Sequence, residues 1–102
     1  MREKINIGCG ADILDGYINL DYKNQKGVDV ICDINNTPWS FKDNTFSESF
    51  CSHTLEHVED LQSTMKEMWR ISKPSAKIII RVPHFSYVLC LYNIHHKRSV
   101  GL

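Results

Sequence analysis

The hydrophobic residues of this chain fall into five short blocks, separated by polar or glycine-rich segments. Each block has the length and the β-branched or apolar content of a β-strand. The predicted strands are residues 4–8, 17–21, 28–33, 47–53 and 76–82. The last of these contains three consecutive isoleucines and is closed by Pro83, which makes it the strongest prediction.

One amphipathic helix is predicted between the last two strands. From Val58 through Ile71, apolar residues recur at spacings of three and four, which places them on one face. Glu59 and Asp60 suit the start of this helix, and Pro74 ends it. Strands joined by a crossover helix predict an α/β fold with a parallel sheet. In such sheets, ligands bind at the carboxyl ends of the strands.

Chemically suggestive residues follow three of the predicted strands. Gly8 and Gly10 come after the first strand, whereas Asp21 and Asp33 close the second and the third. Glycine lets the chain turn sharply and bring its N–H groups against a ligand. The two carboxylates can accept hydrogen bonds from ribose hydroxyls and from an exocyclic amino group. All four residues are also common in ordinary turns, but their joint placement predicts a nucleotide site.

The glycine motif does not match two common nucleotide-binding fingerprints. A dinucleotide fingerprint requires a third glycine where this chain has Ile13, and Asp21 follows the motif too closely. The Gly-Lys-Ser or Gly-Lys-Thr of a phosphate-binding loop is absent from the sequence. The pattern therefore disfavours both a nicotinamide dinucleotide and ATP.

Length and charge favour a single domain without a clear nucleic-acid site. A chain of 102 residues with 42% hydrophobic residues can bury one core and little more. All 12 acidic groups lie within residues 1–67, together with only half of the 12 lysines and arginines. The basic residues of the remaining segment are scattered, apart from the short cluster at 95–98. Attraction between the two ends of one fold is the simpler interpretation.

The cysteine pattern predicts a cytoplasmic protein. Cys9, Cys32, Cys51 and Cys90 show no C-x-x-C spacing and adjoin apolar or glycine-rich runs, as free thiols in a reducing compartment do. The first residues contain no apolar stretch of signal-peptide length, and every apolar run is too short to span a bilayer.

An ordered set of motifs resembles a known enzyme family. The segments "INIGCGAD", "GYINLD", "VDVICDI", "PWSFKDNTF", "CSHTLEH" and "EMWRISKPSAKIIIRVPH" together resemble the class I S-adenosylmethionine (SAM)-dependent methyltransferases, specifically their small type-11-like group. The resemblance covers residues 4–84 and implies a Rossmann-like parallel sheet of order 3-2-1-4-5 with flanking helices. It also implies a C-terminally truncated chain that lacks the usual antiparallel strands. Residues 1–84 would be the SAM-binding core, and residues 85–102 a tail of the same domain.

The resemblance assigns a role to each matching residue. Asp21 would bind the ribose hydroxyls, and Asp33 with Ile34 would contact the adenine. The loop under the methionine moiety would consist of Gly8, Cys9 and Gly10, and the wall nearest the sulfonium of Ser52 and His53. The cofactor would be SAM, with S-adenosylhomocysteine as its product, and no metal ion is implied.

His53 is the candidate catalytic residue. A sulfonium is already an activated electrophile, so catalysis requires mainly positioning of the acceptor and exclusion of water. A general base is required only for a hydroxyl or a protonated amine, and imidazole titrates near neutrality. His53 could equally form a backbone hydrogen bond at the strand end.

A zinc hydrolase is an alternative interpretation of "HTLEH". His53 and His57 with Glu56 between them match the H-x-x-E-H zinc signature, which requires both histidines on one helix face. No acidic residue follows Glu67 to supply the usual third ligand. A junction between a strand and a helix would also separate the two histidines. A capping or packing role of His57 at the helix start is the simpler prediction.

Three functions therefore stay open at the sequence level. They are an active SAM-dependent methyltransferase, a truncated SAM-binding module without independent activity, and the zinc hydrolase. The acceptor would be an unidentified small molecule or glycan, with no nucleic acid or membrane indicated. Residues 85–94 form an apolar tail that we expect to fold back over the sheet or to contact a second copy. An open sheet edge would favour the same self-association.

Overall fold

The part of the chain that the structure describes contains six strands and one α-helix. The computed structural model describes residues 3–52, 54–82 and 85–90. In chain order, the elements are β1 (Lys4–Ile7), β2 (Ile18–Asp21), β3 (Val30–Ile31), β4 (Phe46–Ser52), a 3-10 turn (Leu55–His57), α1 (Leu61–Ile71), β5 (Ser72–Val82) and β6 (Phe85–Cys90).

The first five strands form the predicted parallel sheet. Their spatial order is β3-β2-β1-β4-β5, and each neighbouring pair runs parallel. The Rossmann-like α/β order implied by the resemblance is therefore confirmed. Because β1, β2 and β3 are parallel neighbours, their carboxyl ends lie beside one another, next to the point at β1 where the strand order reverses.

A sixth strand corrects the expectation that antiparallel strands are lacking. β6 pairs antiparallel with β5, from Val82 opposite Phe85 to Lys77 opposite Cys90. Residues 85–90 thus extend the sheet at its edge, and do not fold over its face. The pairing satisfies backbone groups along β5 that would otherwise be open. The rest of the predicted apolar tail, residues 91–94, lies outside the described residues.

The helix begins later than its hydrophobic period indicates. Val58 has extended backbone angles, and α1 starts after Asp60, whose carboxylate accepts hydrogen bonds from the backbone N (3.2 Å) and the Oγ (2.8 Å) of Ser63. A capping aspartate therefore sets the boundary. At the other end, Ser72 is already extended and opens β5. Pro74 lies inside this strand, where the pairing with β4 is irregular.

The hydrophobic core lies between one face of the sheet and α1. Alternation along β1 directs Ile5 and Ile7 to this face and Asn6 to the opposite one. The buried apolar side chains of the core are Ile5, Ile7, Leu20, Trp39, Phe46, Cys51, Met68, Ile71, Ile78 and Ile80. Within the described ranges, no helix has the length and apolar content needed to cross a membrane.

A buried asparagine pair organises the opposite face of the sheet. Asn6 and Asn19 are register partners on β1 and β2, and Nδ2 of Asn6 donates to Oδ1 of Asn19 at 2.9 Å. The same Nδ2 donates to the carbonyl of Asp12, and Asn19 exchanges two hydrogen bonds of 3.0 Å with the backbone of Leu14. The short β1–β2 connection, residues 8–17, is therefore held by side chains and contains no helix.

Candidate functional site

A cavity of about 430 Å³ lies at the carboxyl ends of β1, β2 and β3. Its lining residues are Gly8, Gly10, Ala11, Leu20, Asp21, Tyr22, Lys23, Gln25, Cys32, Asp33, Ile34, Asn35, Thr54, His57 and Val58. The structure thus brings together five of the residues singled out in the sequence: Gly8, Gly10, Asp21, Asp33 and Ile34. Their convergence on one cavity follows from the parallel sheet, because the strands that they follow are neighbours.

The glycine loop after β1 has a backbone that favours glycine at two positions. Gly8 has φ of +68° and Gly10 has φ of +53°, both in the left-handed region. A β-carbon on Gly8 would meet the side chain of Thr54, whereas a β-carbon on Gly10 would have nothing within 4 Å. Gly10 therefore leaves open space at the cavity wall, where a ligand can approach the backbone closely.

Asp21 places a nearly buried carboxylate at the floor of the cavity. It is the last residue of β2 and is only 7% exposed. Oδ2 of Asp21 lies 3.4 Å from Nε2 of Gln25, which also donates to the carbonyl oxygen of Gly10 at 2.7 Å. A buried carboxylate that faces a cavity is suited to accept hydrogen bonds from ligand hydroxyls.

Asp33 and Ile34 form the wall that follows β3. Oδ1 of Asp33 accepts a hydrogen bond from the backbone N of Asn35 at 3.0 Å, which fixes the turn. The indole Nε1 of Trp39 donates to the carbonyl of Ile34 at 3.1 Å. Trp39 is itself buried, so this hydrogen bond attaches the aliphatic wall of the cavity to the hydrophobic core.

An ion pair on α1 supports the same wall from behind. Glu67 accepts a hydrogen bond from the backbone N of Trp39 at 2.7 Å and two from the guanidinium of Arg70. Arg70 also donates to the carbonyls of Trp39 and Phe41 and pairs with Asp43 at 2.9 Å. The hydrogen bond from Arg70 holds the pKa of the Glu67 carboxyl below its ordinary value.

The segment after β4 closes the other side of the cavity. Thr54, His57 and Val58 line it, and the 3-10 turn is held by a hydrogen bond of 3.0 Å from the N of His57 to the carbonyl of Thr54. The N of Glu59 donates to Oδ1 of Asn35 at 3.0 Å, which joins this segment to the loop after β3. His57 therefore lies at the cavity and on a 3-10 turn, where the sequence predicted only a capping or packing role.

Two of the predicted site residues, Cys9 and Ser52, are not part of the cavity lining. Cys9 is 4% exposed, and its thiol packs into the interior, where burial raises its pKa. Ser52, at the end of β4, is partly exposed but is not part of the lining. His53 lies outside the described residues, and its predicted catalytic role stays a prediction.

Several cavity residues were missed in the sequence. Tyr22, Lys23 and Gln25 follow Asp21 in the β2–β3 turn, and Thr54 lies after β4, where its side chain contacts Gly8. A search limited to glycines and to acids at strand ends does not detect them. These residues could have been found by considering every position that directly follows a strand, whatever its residue type.

The described residues do not provide a metal site. No group of three histidine, cysteine, aspartate or glutamate side chains within the described ranges is arranged to hold an ion. His57 lies on a 3-10 turn and not on the α-helix that the H-x-x-E-H zinc signature requires. The other histidines that could supply a third ligand, His84, His95 and His96, lie outside the described residues.

Several solved structures that share this fold are described as methyltransferases. A Thermotoga maritima protein described as a SAM-dependent methyltransferase, possible histamine N-methyltransferase, is 21% identical with a TM-score of 0.64, and the match covers 76% of this chain and 42% of that one. A protein of Methanococcus maripaludis described as an S-adenosyl-L-methionine-dependent methyltransferase is 18% identical with a TM-score of 0.61, covering 95% and 52%. The trans-methyltransferase CalH, solved with S-adenosylhomocysteine, is 15% identical with a TM-score of 0.61, covering 76% and 31%.

The sequence itself matches a family model over most of its length. None of the curated proteins compared with the chain matches it significantly. The chain spans about half or less of the length of these three structural relatives. The family model described as "Methyltransferase domain" matches residues 8–80, a range that runs from the glycine loop to the end of the core part of β5. The chain therefore belongs to the methyltransferase-domain family, and its sheet is that of the class I SAM-dependent enzymes.

Proposed function

We propose that this protein binds SAM in the cavity at the ends of β1, β2 and β3 and transfers its methyl group to an acceptor. The observation that carries the proposal is the presence of Gly10, Asp21 and Asp33 in the wall of one cavity. The family match adds the reaction class. The open space at Gly10 and the nearly buried carboxylate of Asp21 fit a ligand with a polar chain and vicinal hydroxyls.

Each wall of the cavity would hold a different part of the cofactor. The backbone of the loop at Gly8 and Gly10 would contact the methionine moiety, and Asp21 would accept hydrogen bonds from the ribose hydroxyls. Oδ1 of Asp33 is engaged by Asn35, which leaves Oδ2 to accept a hydrogen bond from the adenine amino group. Ile34 would pack against the adenine ring. When bound, SAM supplies a methyl group on a sulfonium, an electrophile that needs no further activation.

Catalysis would rest on the position of the acceptor. The strand-end segment after β4 lies beside the cavity, so an acceptor that enters there can be aligned with the methyl group while water is excluded. His53 stays our candidate for a general base if the acceptor is a hydroxyl or a protonated amine. We expect a small molecule or a glycan as the acceptor. The cytoplasmic location and self-association through the sheet edge also stay predictions.

A SAM-binding module without independent activity is the second candidate. The match to the Thermotoga maritima relative covers 42% of that protein's length. The zinc-hydrolase alternative gains no support from the family match or from the described residues.

Calorimetry with S-adenosylhomocysteine tests the proposed site. The wild-type protein should bind it, and Asp21→Asn should weaken binding about ten- to a hundredfold, since a hydrogen bond to a charged group is lost. Asp33→Asn should weaken binding less, because Asp33 is exposed. Asp15→Asn, at an exposed acid outside the cavity, is the matched control. Equal affinity in all three variants would refute the assignment of the site.

Methyl transfer itself needs a separate measurement. The protein would be incubated with radiolabelled SAM and pools of small-molecule or glycan acceptors, and the labelled products identified. Binding of S-adenosylhomocysteine with no labelled product in any pool would favour the binding-module candidate. Metal content measured on the purified protein would test the zinc alternative.

A further inference from the structure

Gln25 connects two parts of the candidate site that belong to different loops. Its Nε2 donates to the carbonyl of Gly10 at 2.7 Å and lies 3.4 Å from Oδ2 of Asp21. Gly10 is in the loop after β1, whereas Asp21 ends β2 and Gln25 lies in the β2–β3 turn. One side-chain amide therefore contacts both the glycine loop and the buried carboxylate.

A second contact joins the same two loops. Gly27 has φ of +93°, and a β-carbon there would lie 2.7 Å from Cγ1 of Ile13. The β2–β3 turn thus packs directly against the glycine loop beside the hydrogen bond of Gln25. The turn is also internally fixed, since the N of Val28 donates to the carbonyl of Gln25 at 3.1 Å.

Gln25 contacts the Asp21 carboxylate with an uncharged amide. No other hydrogen bond to the Asp21 carboxylate is found within residues 3–52, 54–82 and 85–90. The amide nitrogen lies 3.4 Å from one carboxylate oxygen of Asp21 and carries no charge. A lysine or an arginine at this position would instead form an ion pair with Asp21. The other oxygen stays available to a ligand at the cavity.

We propose that Gln25 is a positioning residue that holds the glycine loop and the Asp21 carboxylate in their binding arrangement before the cofactor arrives. This inference rests on the proposed function, because it assigns the part of the site that Gln25 serves. Preorganisation of this kind increases affinity by removing the cost of ordering the loop on binding. The residue is absent from the motifs that carry the family resemblance.

The loop contact can be tested without any ligand. The Gln25→Ala substitution removes the hydrogen bond to the carbonyl of Gly10. In the absence of ligand, hydrogen–deuterium exchange in the peptide that covers residues 9–13 should therefore be about three- to tenfold faster in this variant than in the wild type. Gln62→Ala, at an exposed glutamine on α1, is the control and should leave this peptide unchanged. Unchanged exchange in Gln25→Ala overturns the proposal, whether or not the protein binds SAM.

Ligand affinity tests the link to Asp21. Gln25→Ala should weaken S-adenosylhomocysteine binding about three- to tenfold, and Gln25→Glu should weaken it more, because a second carboxylate then faces Asp21. In an Asp21→Ala background, Gln25→Ala should cost less than it does in the wild type, since part of its effect acts through Asp21. Full additivity, or wild-type affinity in both Gln25 variants, overturns the proposal.

The two proposals fail in different ways. A wild-type protein that does not bind S-adenosylhomocysteine refutes the proposed function, and the exchange measurement still decides whether Gln25 restrains the loop. If the wild type and Gln25→Ala bind S-adenosylhomocysteine equally well and show the same hydrogen–deuterium exchange, only the role of Gln25 is refuted. Thermal unfolding of each variant identifies any that fail to fold.

Discussion

The side chain of Thr54 occupies the space that a β-carbon on Gly8 would need. Such a carbon would lie 2.5 Å from Oγ1 and 2.7 Å from Cγ2 of Thr54, and the Thr54 hydroxyl is within hydrogen-bond distance of the carbonyls of Ser52 (3.0 Å) and Gly8 (3.3 Å). The loop after β1 and the segment after β4 are therefore in direct contact. This contact closes the cavity on the side of β4.

Gly8→Ala should destabilise the protein more than Gly10→Ala does. Both variants strain a left-handed backbone by about 1–2 kcal/mol, but only the methyl group at position 8 also meets Thr54, which adds about 1–3 kcal/mol. Urea unfolding measures both free energies. In a Thr54→Ala background, the cost of Gly8→Ala should fall towards that of Gly10→Ala. Equal costs at the two glycines in the wild-type background would contradict the packing described.

Asn19→Ala should destabilise the fold through the partners that it leaves behind. The substitution removes the acceptor of Nδ2 of Asn6, which is buried, and both side-chain hydrogen bonds to the backbone of Leu14. An unsatisfied buried group costs about 1–3 kcal/mol, so unfolding free energy should fall by at least about 2 kcal/mol. Asn24→Ala, at an exposed asparagine, should change it by less than about 0.5 kcal/mol. A small effect at Asn19 would show that water replaces these contacts.

Glu67 should make stability depend on pH in the acidic range. The hydrogen bond from Arg70 lowers the pKa of Glu67 in the folded state below its ordinary value of 4.5. The associated stability is therefore fully present above pH 4.5 and is lost as pH falls through the folded-state pKa. Denaturant unfolding between pH 7 and pH 3 measures this loss.

The Glu67→Gln variant isolates that contribution. The pKa values of Glu3 and Asp60 are also lowered, by Lys73 and by Ser63 respectively, and both groups remain in the variant. Glu67→Gln should be less stable than the wild type at pH 7, and the difference should shrink at low pH. Glu59→Gln, at an exposed position before α1, is the control. Parallel pH profiles of the wild type and Glu67→Gln would contradict the role of this ion pair.

Cys32 should report on occupancy of the cavity. It is a lining residue and is half-buried, and burial together with the nearby Asp33 raises the pKa of its thiol. Maleimide modification should therefore be slow at neutral pH and faster as pH rises. Cys51 is fully buried, and burial raises its pKa to about 12, so it should react only on unfolding.

S-Adenosylhomocysteine should protect Cys32 from modification. At a free concentration about ten times its dissociation constant, the rate should fall about tenfold, since only the unbound protein reacts. Peptide mass spectrometry separates Cys32 from the other thiols, and adenosine-free homocysteine is the control ligand. An unchanged rate under conditions where calorimetry shows binding would place the ligand elsewhere.

Local patterns in the chain were sufficient for the strands and for part of the site. Strand periodicity and the crossover helix predict a parallel sheet. Such a sheet places Asp21 and Asp33 at one edge, because Asp21 ends β2 and Asp33 closely follows β3. These inferences depend on residues close in sequence. The predicted helix start, Val58, was wrong by three residues, because α1 begins at Leu61. The hydrophobic period extends back to Val58, but the capping Asp60 sets the boundary.

Contacts between distant segments were needed for the rest. Thr54 meets Gly8 across 46 positions, and Trp39 is held by Glu67 across 28, and neither partner is distinguished by its neighbours in the chain. The edge strand β6 was missed because its pairing with β5 is a property of the assembled sheet. A short amino-acid pattern encodes which conformation a segment prefers, but the side chain that fills a given space is set only when the whole chain has packed.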